Sequence, residues 1–231
     1  MNNHPIQILA EGHSQWQRLI RRWGLSILIG EEVLFDTFGD PKYLMRQIKK
    51  KKIDIAKINH IILSHEHWDH INGLWSILAI NPAVTVYLGR HFSENFKTRV
   101  KVACQKMIEI EKSVHIDGDI YSTEELRGTY NGRFLYESGL VIKKDDGLTL
   151  IVGCAHPGII LMVQNVKAQF GGAINQLIGG LHLKDMSKFE VDAVVKKLQE
   201  EKIATIFACH CTGKYAQNLQ IRSSGAVGRV C

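Results

Sequence analysis

The chain has 231 residues, 45% of them hydrophobic and 23% charged, with a formal net charge of +6 and 11 histidines. That composition lies near the average of folded globular proteins, which excludes a disordered, collagen-like or coiled-coil chain. No apolar run approaches the roughly 20 residues that span a bilayer, and Met1-Asn2-Asn3-His4-Pro5 lacks the charged and apolar regions of a signal peptide.

In chain order, Ile6 to Ala10 reads as a short strand, and Leu25 to Ile29 and Val33 to Phe35 read as a hairpin across Gly30-Glu31-Glu32. Asp40 is a good N-cap and Pro41 suits a first helical turn, so a helix follows with Leu44 and Ile48 inward and the lysines Lys49 to Lys52 as a solvated end. Ile61 to Leu63 is a fully apolar strand that stops at Ser64. From His70 the spacing of Ile71, Leu74, Trp75 and Leu78 predicts one helix ended by Asn81-Pro82. Val84 to Leu88 is a strand, Phe96 to Lys106 carries no clear signal, and Ile108 to Ile120 looks like strands with an Asp117-Gly118 turn.

Leu140 to Ile142 and Leu148 to Val152 flank Asp145-Asp146-Gly147, a hairpin signal. Ile159 to Ala168 is helical and Ile174 to Ile178 extended. Ser187 to Glu201 is a helix with a capping box from Ser187 and Glu190, and Ile203 to Phe207 is a last strand. Strands and helices alternate while several strand pairs are hairpins, so two mixed sheets with helices outside them are expected, in a single domain over residues 1–231.

The five cysteines, Cys104, Cys154, Cys209, Cys211 and Cys231, are odd in number and form no C-x-x-C pair, which reads as a reduced cytoplasmic protein. Cys154 beside a glycine turn reads as packed rather than as a nucleophile. There is no Gly-x-Ser-x-Gly elbow and no Walker-type loop. The pI near 9.0 suits anionic ligands but is too mild to imply nucleic acid.

The histidines are not scattered evenly. Ser64-His65-Glu66-His67-Trp68-Asp69-His70 follows a buried strand and enters a helix; if strand geometry persists, His65 and His67 share a side, with Asp69 and His70 beside them. Two imidazoles can hold one divalent ion and the Asp69-His70 pair a second. His156, His182 and His210 each stand just past the C-terminal end of a predicted strand, the edge at which open sheets bind ligands. His4, His60, His91 and His115 have no such placement, and of the rest only His13 lies in an expected loop near the sheet edge.

The His-x-His-x-Asp-His motif, Phe35-Asp36-Thr37 at a strand end and the later single histidines resemble the metallo-β-lactamase superfamily, over about Leu25 to Gly213. The resemblance implies an α/β (α+β) fold, a four-layer αββα sandwich of two mixed β-sheets with a dinuclear metal site at one edge. Gly153-Cys154-Ala155-His156-Pro157-Gly158, Gly179-Gly180-Leu181-His182-Leu183 and Cys209-His210-Cys211-Thr212-Gly213 resemble a narrower group. Its members are described as 7,8-dihydropterin-6-yl-methyl-4-(β-D-ribofuranosyl)aminobenzene 5′-phosphate synthases.

Carried over position by position, the resemblance puts His65, His67 and His156 on one metal and Asp69, His70 and His210 on the other. Asp36 then orients a ligand or its loop. His182 stands 26 residues after His156 and 28 before His210, where the superfamily often has a bridging aspartate. Its role as ligand, substrate contact or acid–base group stays open. Asp69 and His182 are the candidate catalytic residues, and His182, Lys184 and Lys214 the candidate substrate contacts. Glu66, Trp68 and Ile71-Asn72 depart from the narrower group's pattern.

Two divalent ions are expected, zinc first, with manganese, iron or nickel accepted by the same donors. The expected substrate is a small anionic phosphate or diphosphate compound; neither a membrane nor nucleic acid is expected as partner, and the oligomeric state is not legible. Three activities follow: a dihydropterin-methyl transferase or synthase, a hydrolase of a phosphodiester, lactone or similar bond, and a non-catalytic metal-binding or ligand-sensing module.

Overall fold

The computed structural model describes residues 4–20 and 22–218. Cys231 lies outside them. They fall into two compact units, the first ending at Lys112 and the second beginning at Ser113. Each is built on one six-stranded mixed sheet, as the alternation of hairpins and helices predicts.

In the first unit β1 (Ile6–Gly12), α1 (Gln15–Leu19), β2 (Gly24–Ile29) and β3 (Val33–Phe35) lead into α2 (Pro41–Lys50). The hairpin and the helix start match expectation: Ile29 pairs with Val33, and Asp40 caps α2 by accepting from the Tyr43 N–H at 3.0 Å. β4 (His60–Ile62), α3 (Trp68–Ile71), α4 (Leu74–Leu78), β5 (Thr85–Gly89), α5 (Glu94–Ala103) and β6 (Lys106–Ile110) complete the unit. The strands lie in the order β1-β2-β3-β4-β5-β6, antiparallel up to β3 and parallel from there on. All six residues of β2 are buried, so it shows no polar face. Leu44 and Ile48 of α2, Leu74, Ile77 and Leu78 of α4, and Phe96 and Val100 of α5 pack with Leu28, Leu34, Ile61 and Val86 of the sheet.

The single helix expected from His70 is two short helices. Gly73 N–H donates to the Phe38 carbonyl at 3.1 Å, and its Cα lies so close to the Thr37 backbone that a Cβ would stand 2.0 Å from the Thr37 oxygen. Close docking of the chain on the 36–39 turn therefore divides the apolar stripe. The unread segment after Leu88 is α5, capped by Ser93, whose Oγ accepts from the Phe96 N–H at 3.3 Å.

The second unit runs β7 (His115–Asp117), β8 (Ile120–Ser122), β9 (Leu126–Tyr130), β10 (Arg133–Glu137), β11 (Leu140–Lys144), β12 (Gly147–Val152), α6 (Ile159–Phe170), β13 (Ile174–Gly180), α7 (Lys188–Glu200), β14 (Thr205–Cys209) and α8 (Lys214–Asn218). Its sheet order is β14-β13-β12-β11-β8-β7, with β12, β13 and β14 parallel. The capping box of Ser187 and Glu190 opens α7 as expected. The hairpin of β9 and β10 was not expected; its Asn131-Gly132 turn, at φ 49° and 75°, is a type I′ sequence signal that lies in the chain. Helices α6 and α7 cover the sheet through Met162, Val163, Val166, Val191, Val195 and Leu198 against Leu148, Leu150, Val152 and Leu177.

Parallel pairing brings strand ends together. Phe35 stands beside Ile62, so Asp36 and Ser64 leave one edge as neighbours; Val152, Gly179 and Ala208 are likewise in register. Replacing Gly73 by Ala should cost about 1–3 kcal/mol in urea unfolding, because backbone blocks the new methyl. Gly118→Ala, with nothing within 4 Å of its Cβ, should cost about 1 kcal/mol. Equal losses would contradict the close approach at Gly73.

Candidate metal centre

In the first unit the site is organised by Asp36, whose side chain is wholly buried. Its left-handed backbone, φ 57°, is held by Asp36 N–H donating to the Ile62 carbonyl at 2.8 Å and by Ser26 Oγ donating to the Asp36 carbonyl at 2.8 Å. The carboxylate accepts from Ser64 N–H at 2.8 Å, from Ser64 Oγ at 2.8 Å and from His70 Nδ1 at 2.6 Å. Because a carboxylate only accepts, these bonds assign protons. His70 carries its proton on Nδ1 and turns the Nε2 lone pair outward. Ser64 gives its one proton to Asp36, so it accepts from His65 Nδ1 at 2.8 Å, and His65 likewise keeps Nε2 as a lone pair.

That Nε2 lies 3.1 Å from Nδ1 of His67, with the rings edge to face. Two nitrogens on one tetrahedral zinc, each at about 2.0–2.1 Å, stand about 3.3 Å apart, so this pair fits a shared ion. His70 Nε2 is 3.6 Å from Asp69 Oδ2, a second pair of donors, and the His65 and His70 rings are 4.2 Å apart. The expected strand alternation does not produce this meeting. β4 ends at Ile62, and a tight turn with His67 N–H donating to the His65 carbonyl at 3.0 Å brings the two rings together. Glu66 points elsewhere, accepting from Ser93 N–H and Oγ. Trp68 is partly exposed, against Gly39.

In the second unit Glu137, at the end of β10 and fully buried, anchors the backbone of the loop that carries His156. Its Oε1 accepts from the N–H groups of Gly153, Cys154 and Ala155 at 3.1, 2.8 and 2.9 Å, and its Oε2 from that of His156 at 2.8 Å. The His156 and His182 rings lie 4.3 Å apart, with Tyr130 edge-on to both. Thr212 Oγ1 donates to the Cys209 carbonyl and accepts from Leu181 N–H, tying the His182 loop to the buried His210 turn. Ala155, His182 and His210 all have left-handed backbones, at φ 58°, 53° and 49°.

The ligand atoms of Cys154, His156 and His182 lie within 4.8 Å of one another, as do those of Cys154, His210 and Cys211. Burial pushes the Cys211 thiol up, yet the bond with Cys154, the charge of His210 and the bond with His182 bring it well below the ordinary value. Burial, the largest single effect, pushes His182 down, and the bond with Cys211 together with the charges of Cys211 and Glu137 outweighs it, so the imidazole stands above its ordinary value. Sequence reasoning did not single out Ser64, Glu137, Tyr130 or Cys211 for the site. Only the hairpin turn before Glu137 and the Cys-His-Cys spacing offered a signal.

Lys184 pairs with Asp185, and Lys214 is exposed at the start of α8. Lys184 N–H donates to the Cys211 carbonyl at 3.2 Å, so both lysines flank the strand-end loops that carry His182 and His210. Among the remaining histidines, His60 bonds Tyr87 and His115 the Gly118 carbonyl, while His13 is exposed. No helix among the described residues is long and apolar enough to cross a membrane.

Residues 24–210 match the model of the metallo-β-lactamase superfamily. The chain is 28% identical to a 7,8-dihydropterin-6-methyl-4-(β-D-ribofuranosyl)-aminobenzene-5′-phosphate synthase of Methanocaldococcus jannaschii, over 95% of this chain and 91% of that one. A solved metal-dependent hydrolase of the β-lactamase superfamily superposes at TM-score 0.73 with 25% identity, covering 94% and 91% of the two chains. The metallo-β-lactamase fold protein YhfI from Bacillus subtilis does so at TM-score 0.68 and 13% identity, covering 98% and 96%.

Removing the Glu137 carboxylate would orphan four buried N–H groups. Glu137→Gln, which turns an amide donor toward one of the two groups of N–H donors, should lower stability by about 1–3 kcal/mol, and Glu137→Ala by more, in chemical denaturation. A loss under about 0.5 kcal/mol for the alanine variant, the range of an unremarkable surface substitution, would contradict the anchor.

Proposed function

The chain belongs to the metallo-β-lactamase superfamily and has its fold, and from that membership we propose a metal-dependent enzyme with a dinuclear centre acting on a small anionic substrate. In this reading His65, His67 and His156 hold one ion, and Asp69, His70 and His210 the other, most simply zinc. The observation that carries it is the hydrogen-bond network around Asp36, which commits Nδ1 of both His65 and His70 and turns their Nε2 atoms toward the donor atoms of His67 and Asp69. The donor set, imidazoles with one carboxylate, suits zinc and also manganese, iron or nickel.

A bound ion pair supplies Lewis-acid polarisation of a phosphoryl oxygen and a water of lowered pKa. The chain's own residues do the rest. Asp36 and Ser64 fix ring orientation for His65 and His70, and Glu137 fixes the His156 loop. His182, which Cys211 and the charge of Glu137 hold above its ordinary value against burial, serves as a proton donor or a contact to substrate anion, and Asp69 is the candidate catalytic carboxylate. Lys184 and Lys214 contribute positive charge for a phosphate.

The preferred reaction is a synthase reaction that would make a product of the kind the relative's name describes. In it the amine nitrogen of an aminobenzene ribosyl phosphate bonds to a pterin-methyl carbon as the carbon–oxygen bond to diphosphate breaks. The amine proton is lost, and the charge of the leaving diphosphate would be offset by a bound metal pair. The 28% identity along nearly the whole of both chains supports this reading. Hydrolysis of a phosphodiester or lactone is the second reading, supported by the likeness to the metal-dependent hydrolase. A site with every ligand position filled weighs against a purely sensing module.

The zinc-loaded protein should release diphosphate from the pterin-methyl diphosphate only when the aryl ribosyl phosphate is present. Release without the second substrate, or turnover of a generic phosphodiester, would favour the hydrolase. Asp36→Asn should weaken metal affinity about 10–100-fold while the fold persists, read by competition with a chromogenic chelator. Unchanged affinity would overturn the role given to Asp36.

A further inference from the structure

Hairpin β9–β10 is a two-stranded ribbon outside the six-stranded sheet of the second unit. Its inner face lies on the loop that carries His156. Gly128 sets the approach: a Cβ there would stand 2.5 Å from the His156 carbonyl carbon and oxygen and 2.6 Å from Pro157 N. Glu137, directly opposite Leu126, fastens the base of the ribbon through the N–H groups of residues 153–156. Alternation along β9 puts Tyr130 on the same side as Gly128. Its ring accordingly meets those of His156 and His182, at centroid distances of 5.3 and 5.8 Å and with planes near perpendicular.

Arg133 is the cross-strand partner of Tyr130 over the Asn131-Gly132 turn. Directly opposed residues of an antiparallel pair project from one face, with Cβ atoms about 4.5–5.5 Å apart. An exposed guanidinium therefore rises beside the phenol, on the side of the ribbon that faces the imidazoles. Its charge is not spent on a neighbour: among the described residues no carboxylate pairs with Arg133. Two other cations of the unit are committed. Arg127 stacks over Phe134 at 4.8 Å, and Lys184 pairs with Asp185.

We propose that Tyr130 and Arg133 are specificity-determining residues, receiving a substrate that carries both an aromatic ring and a phosphate monoester. The ring lies against Tyr130 and the phosphate on Arg133. A guanidinium matches a phosphate through parallel N–H···O bonds, and the tyrosine ring offers an aromatic substrate an apolar partner. This assignment, which rests on the reading of the site as a centre for small anionic substrates, adds the face that recognises them. Neither residue holds a metal or takes part in bond breaking.

The test is equilibrium binding of phenylphosphonate and methylphosphonate to the zinc-loaded full chain, read by isothermal titration calorimetry. Both ligands carry the anion, only the first carries a ring, and neither has an ester bond to hydrolyse. Arg133→Ala should weaken both about tenfold, and Arg133→Lys should recover only part of that, because an ammonium lacks the planar fork. Tyr130→Ala should weaken phenylphosphonate about fivefold and leave methylphosphonate unchanged, while Tyr130→Phe should bind both as wild type does. If Tyr130→Ala loses its fold or its zinc, Tyr130→Leu takes its place, keeping bulk against the imidazoles without a ring. Equal affinity in wild type and Arg133→Ala, with the anion held by zinc alone, would overturn the role of the arginine. Equal losses of the two phosphonates in the tyrosine variant would overturn that of the ring. Both ligands are read without turnover, so a chain that releases no diphosphate fails the synthase reading and leaves this comparison standing.

Discussion

A buried carboxylate that is not itself offered to a metal governs each half of the molecule. Asp36 and Glu137 are both wholly shielded from solvent. Burying such a charge costs several kcal/mol unless hydrogen bonds replace its water shell. Asp36 recovers them from Ser64 and His70, and Glu137 from four consecutive N–H groups. The cost ties geometry to folding, because the folded chain cannot keep either carboxylate without also holding the loops that carry His65, His70 and His156. Neither Ser64 nor His70 can rotate away without leaving Asp36 under-satisfied.

Backbone strain is placed to the same end. Asp36, Phe38, Ala155, His182 and His210 all have positive φ, a region that costs residues with a Cβ about 1 kcal/mol or more each. They stand just beyond β3, β12, β13 and β14, where a strand must turn sharply to present a side chain at the sheet edge. Regular strand geometry would carry alternate residues to opposite faces. A left-handed residue immediately after the strand redirects the chain, and the bonds from Ser26, Ile62 and Thr212 hold it there.

The architecture was legible wherever the sequence stated a period or a turn. The Asp40-Pro41 helix start, the Ser187–Glu190 box and the Asp145-Asp146-Gly147 hairpin appear as read, since each depends on neighbours within about four residues. The helix from His70 was misread as continuous because its apolar spacing crosses Gly73 unbroken; the interruption comes from the Thr37 carbonyl, 36 positions away in the chain. The β9–β10 hairpin was legible in Asn131-Gly132 but sits among Arg127, Arg133 and exposed Phe134, so no clean alternation drew attention to it. The histidine motifs and Asp36 could be found because their residue types are themselves the chemistry. Glu137 could not, since what makes it important is four amide protons supplied by a loop across the sheet edge.

The Asp36 network has a further consequence for the ionic state of its neighbours. With the Nδ1 proton of His70 committed to Asp36, the Nε2 nitrogen faces Asp69 Oδ2 at 3.6 Å, and Asp69 is itself buried. A lone pair and a carboxylate oxygen facing each other in a dry site repel. A cation between or upon them, either a proton on Nε2 or a metal ion, relieves this. The two compete for one lone pair, so metal uptake releases a proton and weakens as pH falls. The same logic fits the proposed ligand set, from which Asp36 is left out. Its value lies in deciding which nitrogen of His70 is turned toward Asp69, and a carboxylate drawn onto a metal would surrender that decision.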